Sequence, residues 1–169
     1  MEWLTKAAKQ HPRFAEKLGD LHAAANSLVK NITQALYWWE HAALLDGASS
    51  YNLSEKYRKG IILTKDINLS IQWTKQGAIL GDERCMNQLA IANATGENIE
   101  KNEELAIFWW EKAALLNRDF AYKLGERFLS GNLVQKNEKK AVEWLQIAAK
   151  SGHVGAIQKL ERLGIKLEK

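Results

Sequence analysis

Four histidines and a single cysteine are the side chains best suited to metal binding or nucleophilic catalysis in this chain of 169 residues. The histidines are His11, His22, His41 and His153. No two of them have the spacing of a helical metal motif. Cys85 stands where related segments carry alanine or serine, which indicates a small buried residue. Glycine-rich phosphate loops, G-x-S-x-G and paired-cysteine motifs are missing. The sequence therefore predicts no enzyme, no metal site and no cofactor.

A regularly spaced tryptophan indicates what the chain is built from. Successive spacings of 35, 35, 36 and 35 residues separate Trp3, Trp38, Trp73, Trp109 and Trp144. A pair of small residues follows each tryptophan four or five positions later, as at Ala42-Ala43. Residues three and four apart are neighbours on a helix, so these small residues let another helix approach while the indole fills the space beside them. A period of this length is typical of a helical repeat array.

A second repeated mark predicts where the tryptophan-bearing helices begin. Lysine followed by asparagine or aspartate recurs at Lys30-Asn31, Lys65-Asp66, Lys101-Asn102 and Lys136-Asn137. Asparagine and aspartate are preferred N-caps, because the side-chain oxygen accepts hydrogen bonds from free N–H groups of the first turn. We expect these four helices to begin at about residues 32, 67, 103 and 138.

Between one tryptophan helix and the next cap lies another helix with its own pattern. The pattern is clearest at Ala121, Leu124, Gly125 and Phe128, where small Gly125 is interpreted as a close-packing position. Three glycines follow such segments as left-handed C-caps would: Gly60, Gly96 and Gly131. The chain is therefore predicted to be all-α, with ten helices in alternation.

These features together resemble the Sel-one-like repeat (SLR), a relative of the tetratricopeptide repeat. The best match comprises Ala121, Leu124, Gly125, Phe128, Gly131, Val134, Lys136, Asn137, Ala141, Trp144, Ala148, Ala149 and Gly152. The resemblance implies an α/α superhelical solenoid of about ten antiparallel helices that serves as a protein-binding scaffold without shared catalytic residues. We expect a single domain over residues 1–169. Its parts are a lone tryptophan helix (2–10), repeats at about 13–46, 47–81, 82–117 and 118–152, and a last helix at about 153–163.

The composition and the hydrophobic pattern indicate where in the cell the protein is expected. Hydrophobic residues make up 46% of the chain, charged residues 26%, and there is one proline. No apolar run approaches the roughly 18 residues that would span a bilayer, and the first residues do not resemble a signal peptide. We expect a cytoplasmic protein that does not contact a membrane.

By analogy with tetratricopeptide geometry, residues beside each Leu-Gly pair are expected to form a concave binding face. The predicted partner-binding residues are Arg13, Glu16, Tyr51, Glu55, Arg58, Arg84, Asn87, Asp119, Tyr122, Glu126 and Arg162. Tyr51 and Tyr122 fall at equivalent positions two repeats apart, and tyrosine and arginine are enriched among interface hot spots. The alternative interpretation is an ordinary solvated helix surface. Trp39 and Trp110, next to the periodic tryptophans, are interpreted as core residues rather than a ligand cage.

The positive charge suggests a different partner, single-stranded RNA. The formal net charge is +4, and a 35-residue period also occurs in pentatricopeptide arrays, which read RNA one base per repeat. An RNA reader should carry a cationic stripe, whereas the predicted face mixes both signs. The favoured function is a non-catalytic scaffold for another protein, similar to a bacterial adaptor or an immunity protein that occludes a toxin. RNA binding is the alternative, and the partner's identity and the oligomeric state stay open.

Overall fold

The computed structural model describes residues 2–24 and 31–166, which form ten α-helices and no strand. In chain order these are α1 (Glu2–Ala8), α2 (Pro12–Ala23), α3 (Ile32–Leu45), α4 (Gly47–Lys59), α5 (Ile67–Ile79), α6 (Glu83–Thr95), α7 (Glu103–Leu116), α8 (Arg118–Ser130), α9 (Glu138–Lys150) and α10 (Val154–Arg162). Odd-numbered helices carry the periodic tryptophans and are called Trp helices; even-numbered helices are called first helices. The predicted all-α fold of repeated antiparallel helix pairs is confirmed.

Side-chain caps fix the start of four Trp helices. The carboxamide or carboxylate oxygen of the residue before each helix accepts a hydrogen bond of 2.8–3.0 Å from a backbone N–H three residues later. The capping residues are Asn31, Asp66, Asn102 and Asn137. These contacts satisfy donors that have no partner inside the helix, so the predicted helix starts are confirmed. Lys30, which belongs to the first of the four marks, lies outside the described residues.

Left-handed glycines end three first helices, as predicted. Gly60 ends α4 with φ 67°, Gly96 follows α6 with φ 77°, and Gly131 ends α8 with φ 72°. Each glycine N–H donates to the carbonyl four residues earlier, those of Lys56, Ala92 and Arg127 respectively. A side chain with a Cβ would be strained at this φ, so glycine suits the sharp exit from the helix.

The chain divides into two compact units, Met1–Cys85 and Met86–Lys169. Unit 1 has two groups of buried side chains. The group that joins α1, α2 and α3 consists of Leu4, Ala8, Ala15, Leu18, Trp38 and Ala42. The group that joins α3 and α4 consists of Ala35, Trp39, Ala43, Leu53, Tyr57 and Leu63. In unit 2 a single larger core includes Trp110, Leu124, Phe128, Leu145 and Leu160. Most alanines on the Trp helices are buried in both units, because first helices pack directly on them.

The most deeply buried large residue of several Trp helices is the one after the periodic tryptophan. Trp39 and Trp110 are 2% and 3% exposed, whereas Trp3 is 68% exposed and Trp109 is half-buried. The expectation that every periodic tryptophan fills the space between helices is therefore wrong for Trp3. Neighbouring residues point about 100° apart around a helix, so only one of each pair can face a given helix. The core interpretation of Trp39 and Trp110 is confirmed.

Two glycines on first helices show why the helices come so close. A Cβ on Gly19 would lie 2.5 Å from Cδ1 of Trp39, and a Cβ on Gly125 would lie 2.8 Å from Cγ of Leu145. Backbone carbonyls of the Trp helices lie 3.0 and 3.1 Å from the same two Cβ positions. The large side chain of one helix thus occupies the space left by glycine on the other, and the predicted close-packing role of Gly125 is confirmed.

Candidate protein-binding face

All eleven residues predicted to contact a partner lie on first helices, and the two units divide them. Unit 1 holds Arg13 and Glu16 on α2, Tyr51, Glu55 and Arg58 on α4, and Arg84 on α6. Unit 2 holds Asn87 on α6, Asp119, Tyr122 and Glu126 on α8, and Arg162 on α10. We call each set the first-helix face of its unit. Arg13, Asp119 and Arg162 are exposed near helix ends, and the tyrosines are half-buried.

Arg84 covers the ring of Tyr51 in unit 1. The guanidinium carbon lies 4.2 Å from the ring centroid, a cation–π arrangement. Asp82, which is 7% exposed, holds the same guanidinium through a hydrogen bond of 2.6 Å. That hydrogen bond raises the pKa of Arg84 above its ordinary value. The sequence spacing predicts that Tyr51 and Arg84 lie on one face. The structure brings them into contact, with Arg84 reaching Tyr51 from the next first helix, α6.

A pocket of about 330 Å³ opens on the unit 1 face beside Tyr51. Its lining combines carboxylates, amines and apolar groups: Glu16, Tyr51, Asn52, Glu55, Lys56, Lys59, Ile61 and Ile62. Asn52 Nδ2 donates to Glu16 Oε1 at 2.6 Å, which ties α4 to α2. The pocket is the place where three predicted residues, Glu16, Tyr51 and Glu55, meet.

Glu55 is neutralised inside unit 1 by cations of its own helix. Arg58 Nε and Nη2 donate to its two carboxylate oxygens at 2.6 and 2.7 Å, and Lys59 Nζ lies 3.2 Å away. The bond to Glu55 raises the pKa of Arg58. Glu55 is 12% exposed, whereas Arg58 and Lys59 are each 52% exposed. The face consequently presents cations to solvent, and its carboxylate lies beneath them.

In unit 2 the equivalent residues are engaged by α10 and its cap. His153 stacks on Tyr122 with ring centroids 4.4 Å apart and an angle of 16° between the rings. His153 Nδ1 also accepts the Ala156 N–H at 3.1 Å, so the residue caps α10. Lys159 Nζ lies 3.0 Å from Glu126 Oε1. Tyr122 and Glu126 therefore join α8 to α10, and their free surface is smaller than the sequence suggests.

Buried tryptophans anchor polar groups at the edge of both faces. Trp39 Nε1 donates to Asp20 at 2.9 Å, and Trp110 Nε1 donates to Asn87 at 3.1 Å. Lys56 lies over the Trp39 ring at 4.5 Å, and Arg127 lies over the Trp110 ring at 4.4 Å. Burial lowers the pKa of Arg127. Asn87, predicted as a partner contact, thus satisfies a core indole.

The predicted set leaves out five residues of the unit 1 pocket. Asn52, Lys56 and Lys59 are ordinary polar residues of a helix, and Ile61 and Ile62 follow the helix end. A signal was present for the isoleucines. The residue after each helix-ending glycine is Ile61, Glu97 or Asn132, so only the first of these three loops places an apolar residue there.

The described residues show little that could support chemistry. No group of three or more histidine, cysteine or acidic side chains among them is placed to hold a metal ion. Cys85 is fully buried against Gly77, and burial raises the pKa of its thiol, which keeps it in the unreactive neutral form. Within the described part of the chain, no helix combines the length and apolar character needed to cross a membrane.

Solved structures of similar proteins share this architecture. A Sel1 repeat protein from Oxalobacter formigenes is 30% identical, with a TM-score of 0.72 over 95% of this chain and 48% of its own. Antigen c5321 of uropathogenic Escherichia coli, which displays an SLR fold, is 23% identical, with a TM-score of 0.71 over 99% of this chain and 37% of its own. This chain therefore spans about half or less of either relative. No curated protein matches the sequence.

The repeat sequence itself assigns the family. The Sel1 repeat pattern matches residues 1–12, 15–47, 47–82, 84–117 and 119–153, which is most of the chain. These segments contain the alanines, first-helix glycines and N-caps whose packing is described above. The SLR resemblance read from the residues is confirmed, and the chain belongs to the Sel1 repeat family.

Proposed function

We propose that this chain is a non-catalytic scaffold that binds a partner protein or peptide with its first-helix faces. Sel1 repeat proteins generally mediate protein–protein interactions. The observation that carries the proposal here is the open pocket of unit 1, where half-buried Tyr51 lies under Arg84 beside exposed Ile61. An aromatic ring with an arginine and an apolar neighbour is the combination found in interface hot spots.

The charges of these faces favour a protein over RNA. Arg84 is paired with Asp82, Arg58 with Glu55 and Lys159 with Glu126. These cations alternate with carboxylates along the faces, whereas an RNA reader needs a continuous cationic stripe that follows the phosphate backbone. A mixed surface of this kind is complementary to a protein surface that carries both polar and apolar groups.

Such binding can serve two roles, that of a bacterial adaptor and that of an immunity protein that blocks a toxin. Both use an α/α scaffold as a recognition surface, and the partner distinguishes them. An adaptor joins two cellular proteins, whereas an immunity protein forms a tight complex with one toxin and covers its active site.

Capture of partners from a lysate of the source organism tests the proposed function. The tagged full chain is incubated at low and at moderate salt, with and without nuclease. We expect a stoichiometric protein that survives both treatments, because interfaces with an apolar centre depend weakly on salt. Its identity separates adaptor from immunity protein. Recovery of RNA that nuclease or salt removes would instead establish the pentatricopeptide-like alternative.

A further inference from the structure

Ile61 and Ile62 form an exposed apolar step at the rim of the unit 1 pocket. Ile61 is 80% exposed and Ile62 is 42% exposed, although both line the pocket. The next residue, Leu63, is 6% exposed and belongs to the core, so the loop itself is anchored. Left-handed Gly60 fixes the loop's departure from α4. The two isoleucines are therefore presented to solvent by a well-supported loop.

Comparison with the other described loops shows that the repeat does not require this exposure. After Gly96 the chain continues with Glu97 and Asn98, and after Gly131 it continues with Asn132 and Leu133, of which Leu133 is half-buried against the core of unit 2. All three glycines have a positive φ between 67° and 77°, so the helix ends share one backbone geometry. A single exposed apolar side chain is ordinary, but two beside a pocket, the first of them at a position that is polar in both other loops, indicate a contact surface.

Cations surround this apolar step. Arg58 and Lys59 precede Gly60 at the start of the loop and are half-exposed. Lys56 lines the same pocket and lies 3.8 Å from Asp20. Glu55, which is 12% exposed, lies beneath Arg58 and Lys59, and Glu16 accepts a hydrogen bond from Asn52. A ligand on the isoleucine rim therefore meets apolar carbon and the half-exposed cations of Arg58 and Lys59.

The geometry points to an acidic peptide segment with a large apolar side chain as the ligand of the unit 1 pocket, an inference that rests on the proposed function and specifies its partner. The apolar side chain packs on Ile61, Ile62 and the edge of Tyr51. Flanking aspartates or glutamates of the segment pair with Lys59 and Arg58, whose exposed sides face solvent. Charge complementarity then sets the direction and the rate of binding, and the apolar contact holds the complex.

Selection from a displayed library of random peptides on the full chain tests this inference. We expect the selected peptides to combine a leucine, isoleucine or aromatic residue with adjacent aspartates or glutamates. A synthetic copy of the commonest selected peptide is then titrated against variants by fluorescence anisotropy. Ile61→Asp and Lys59→Glu should each weaken binding by about tenfold or more, the size expected when one partner of a central contact is lost.

Matched controls come from the same unit. Ile79→Asp makes the same change at a position on α5 that is 74% exposed, and Lys75→Glu makes the same charge reversal on the exposed side of α5. Both controls should bind the peptide like the unmodified chain, and circular dichroism should show equal helix content in all variants. Selection of basic peptides, or of peptides whose affinity does not change with Ile61→Asp, would refute the inference about the unit 1 pocket. The proposed protein-binding function would not be affected. If no peptide is selected and the chain binds a labelled oligouridine, both the inference about the pocket and the proposed protein-binding function are contradicted.

Discussion

Tyr51 of unit 1 and Tyr122 of unit 2 occupy the same position of the repeat, yet different groups cover them. Arg84 lies over Tyr51 and is held by Asp82, whereas the imidazole of His153 stacks on Tyr122 and caps α10. The acids one turn further on differ in the same way. Glu55 is bound by cations of its own helix, and Glu126 is bound by Lys159 of the next first helix.

This difference indicates that the same repeat positions hold helices together in unit 2 and border an open pocket in unit 1. In unit 2, tyrosine and glutamate are used to join α8 to α10. In unit 1, charge is neutralised within α4, and the space beside Tyr51 remains an open pocket with exposed isoleucines at its rim. Arg84 of the next first helix still covers Tyr51, so the difference between the units lies in Glu55, whose cations belong to its own helix, and in the open space beside the tyrosine.

Glycine substitutions at the close approaches are expected to have the largest effect, and they should differ between the units. Gly19→Ala places a Cβ against the Trp39 ring, which Asp20 holds in place, and should lower the free energy of unfolding by about 3 kcal/mol. Gly125→Ala meets Leu145, whose aliphatic side chain is not held by a hydrogen bond as the Trp39 ring is, and alanine favours the helix by about 1 kcal/mol. Its net cost should be about 1 kcal/mol. Urea unfolding measures both.

The controls for the glycine pair are Lys17→Ala on α2 and Lys123→Ala on α8, which are exposed and should change stability by less than about 0.5 kcal/mol. An equal loss for Gly19→Ala and Gly125→Ala would show that the indole of unit 1 is no more rigidly seated than the leucine of unit 2. A gain in stability at either glycine would contradict the close-packing account.

Replacing His153 separates its two roles and should have a smaller effect. His153→Ala removes both the cap and the ring stack and should cost about 2 kcal/mol. His153→Asn keeps a capping oxygen and loses the stack on Tyr122 together with the contact of Nε2 with Asp119 at 3.7 Å, so it should cost about 1 kcal/mol. Thermal or urea unfolding distinguishes the two values. If both variants lose the same stability, the hydrogen bond from Ala156 N–H contributes nothing and the description of His153 as a cap is wrong.

The regular parts of the fold could be predicted because they depend on local chemistry. N-caps such as Asn102 and the left-handed Gly131 act within one turn of their own helix, so a sequence pattern contains all the information. Gly125 was also recognised, because a small residue at a fixed repeat position has few explanations other than close packing.

What could not be predicted depends on neighbouring helices. The exposure of Trp3 and the burial of Trp39 follow from which side of a Trp helix the first helices cover, and adjacent tryptophans look alike in the sequence. Arg84 and His153 reach their tyrosines from a later first helix, a contact that spacing does not reveal. The role of Asn87 as an acceptor for Trp110 was hidden for the same reason.

The most direct test of partner binding by the first-helix faces compares two pairs of aromatic residues against the captured partner. Tyr51→Ala with Tyr122→Ala removes the tyrosines of the faces, and Tyr37→Ala with Phe108→Ala removes exposed aromatics of the Trp helices, which are 54% and 45% exposed. Calorimetry with folded variants should show at least a roughly tenfold weaker complex for the first pair and no change for the second. An unchanged affinity for the Tyr51 and Tyr122 pair, with a loss for the Tyr37 and Phe108 pair, would place the interface on the Trp helices and contradict the proposal.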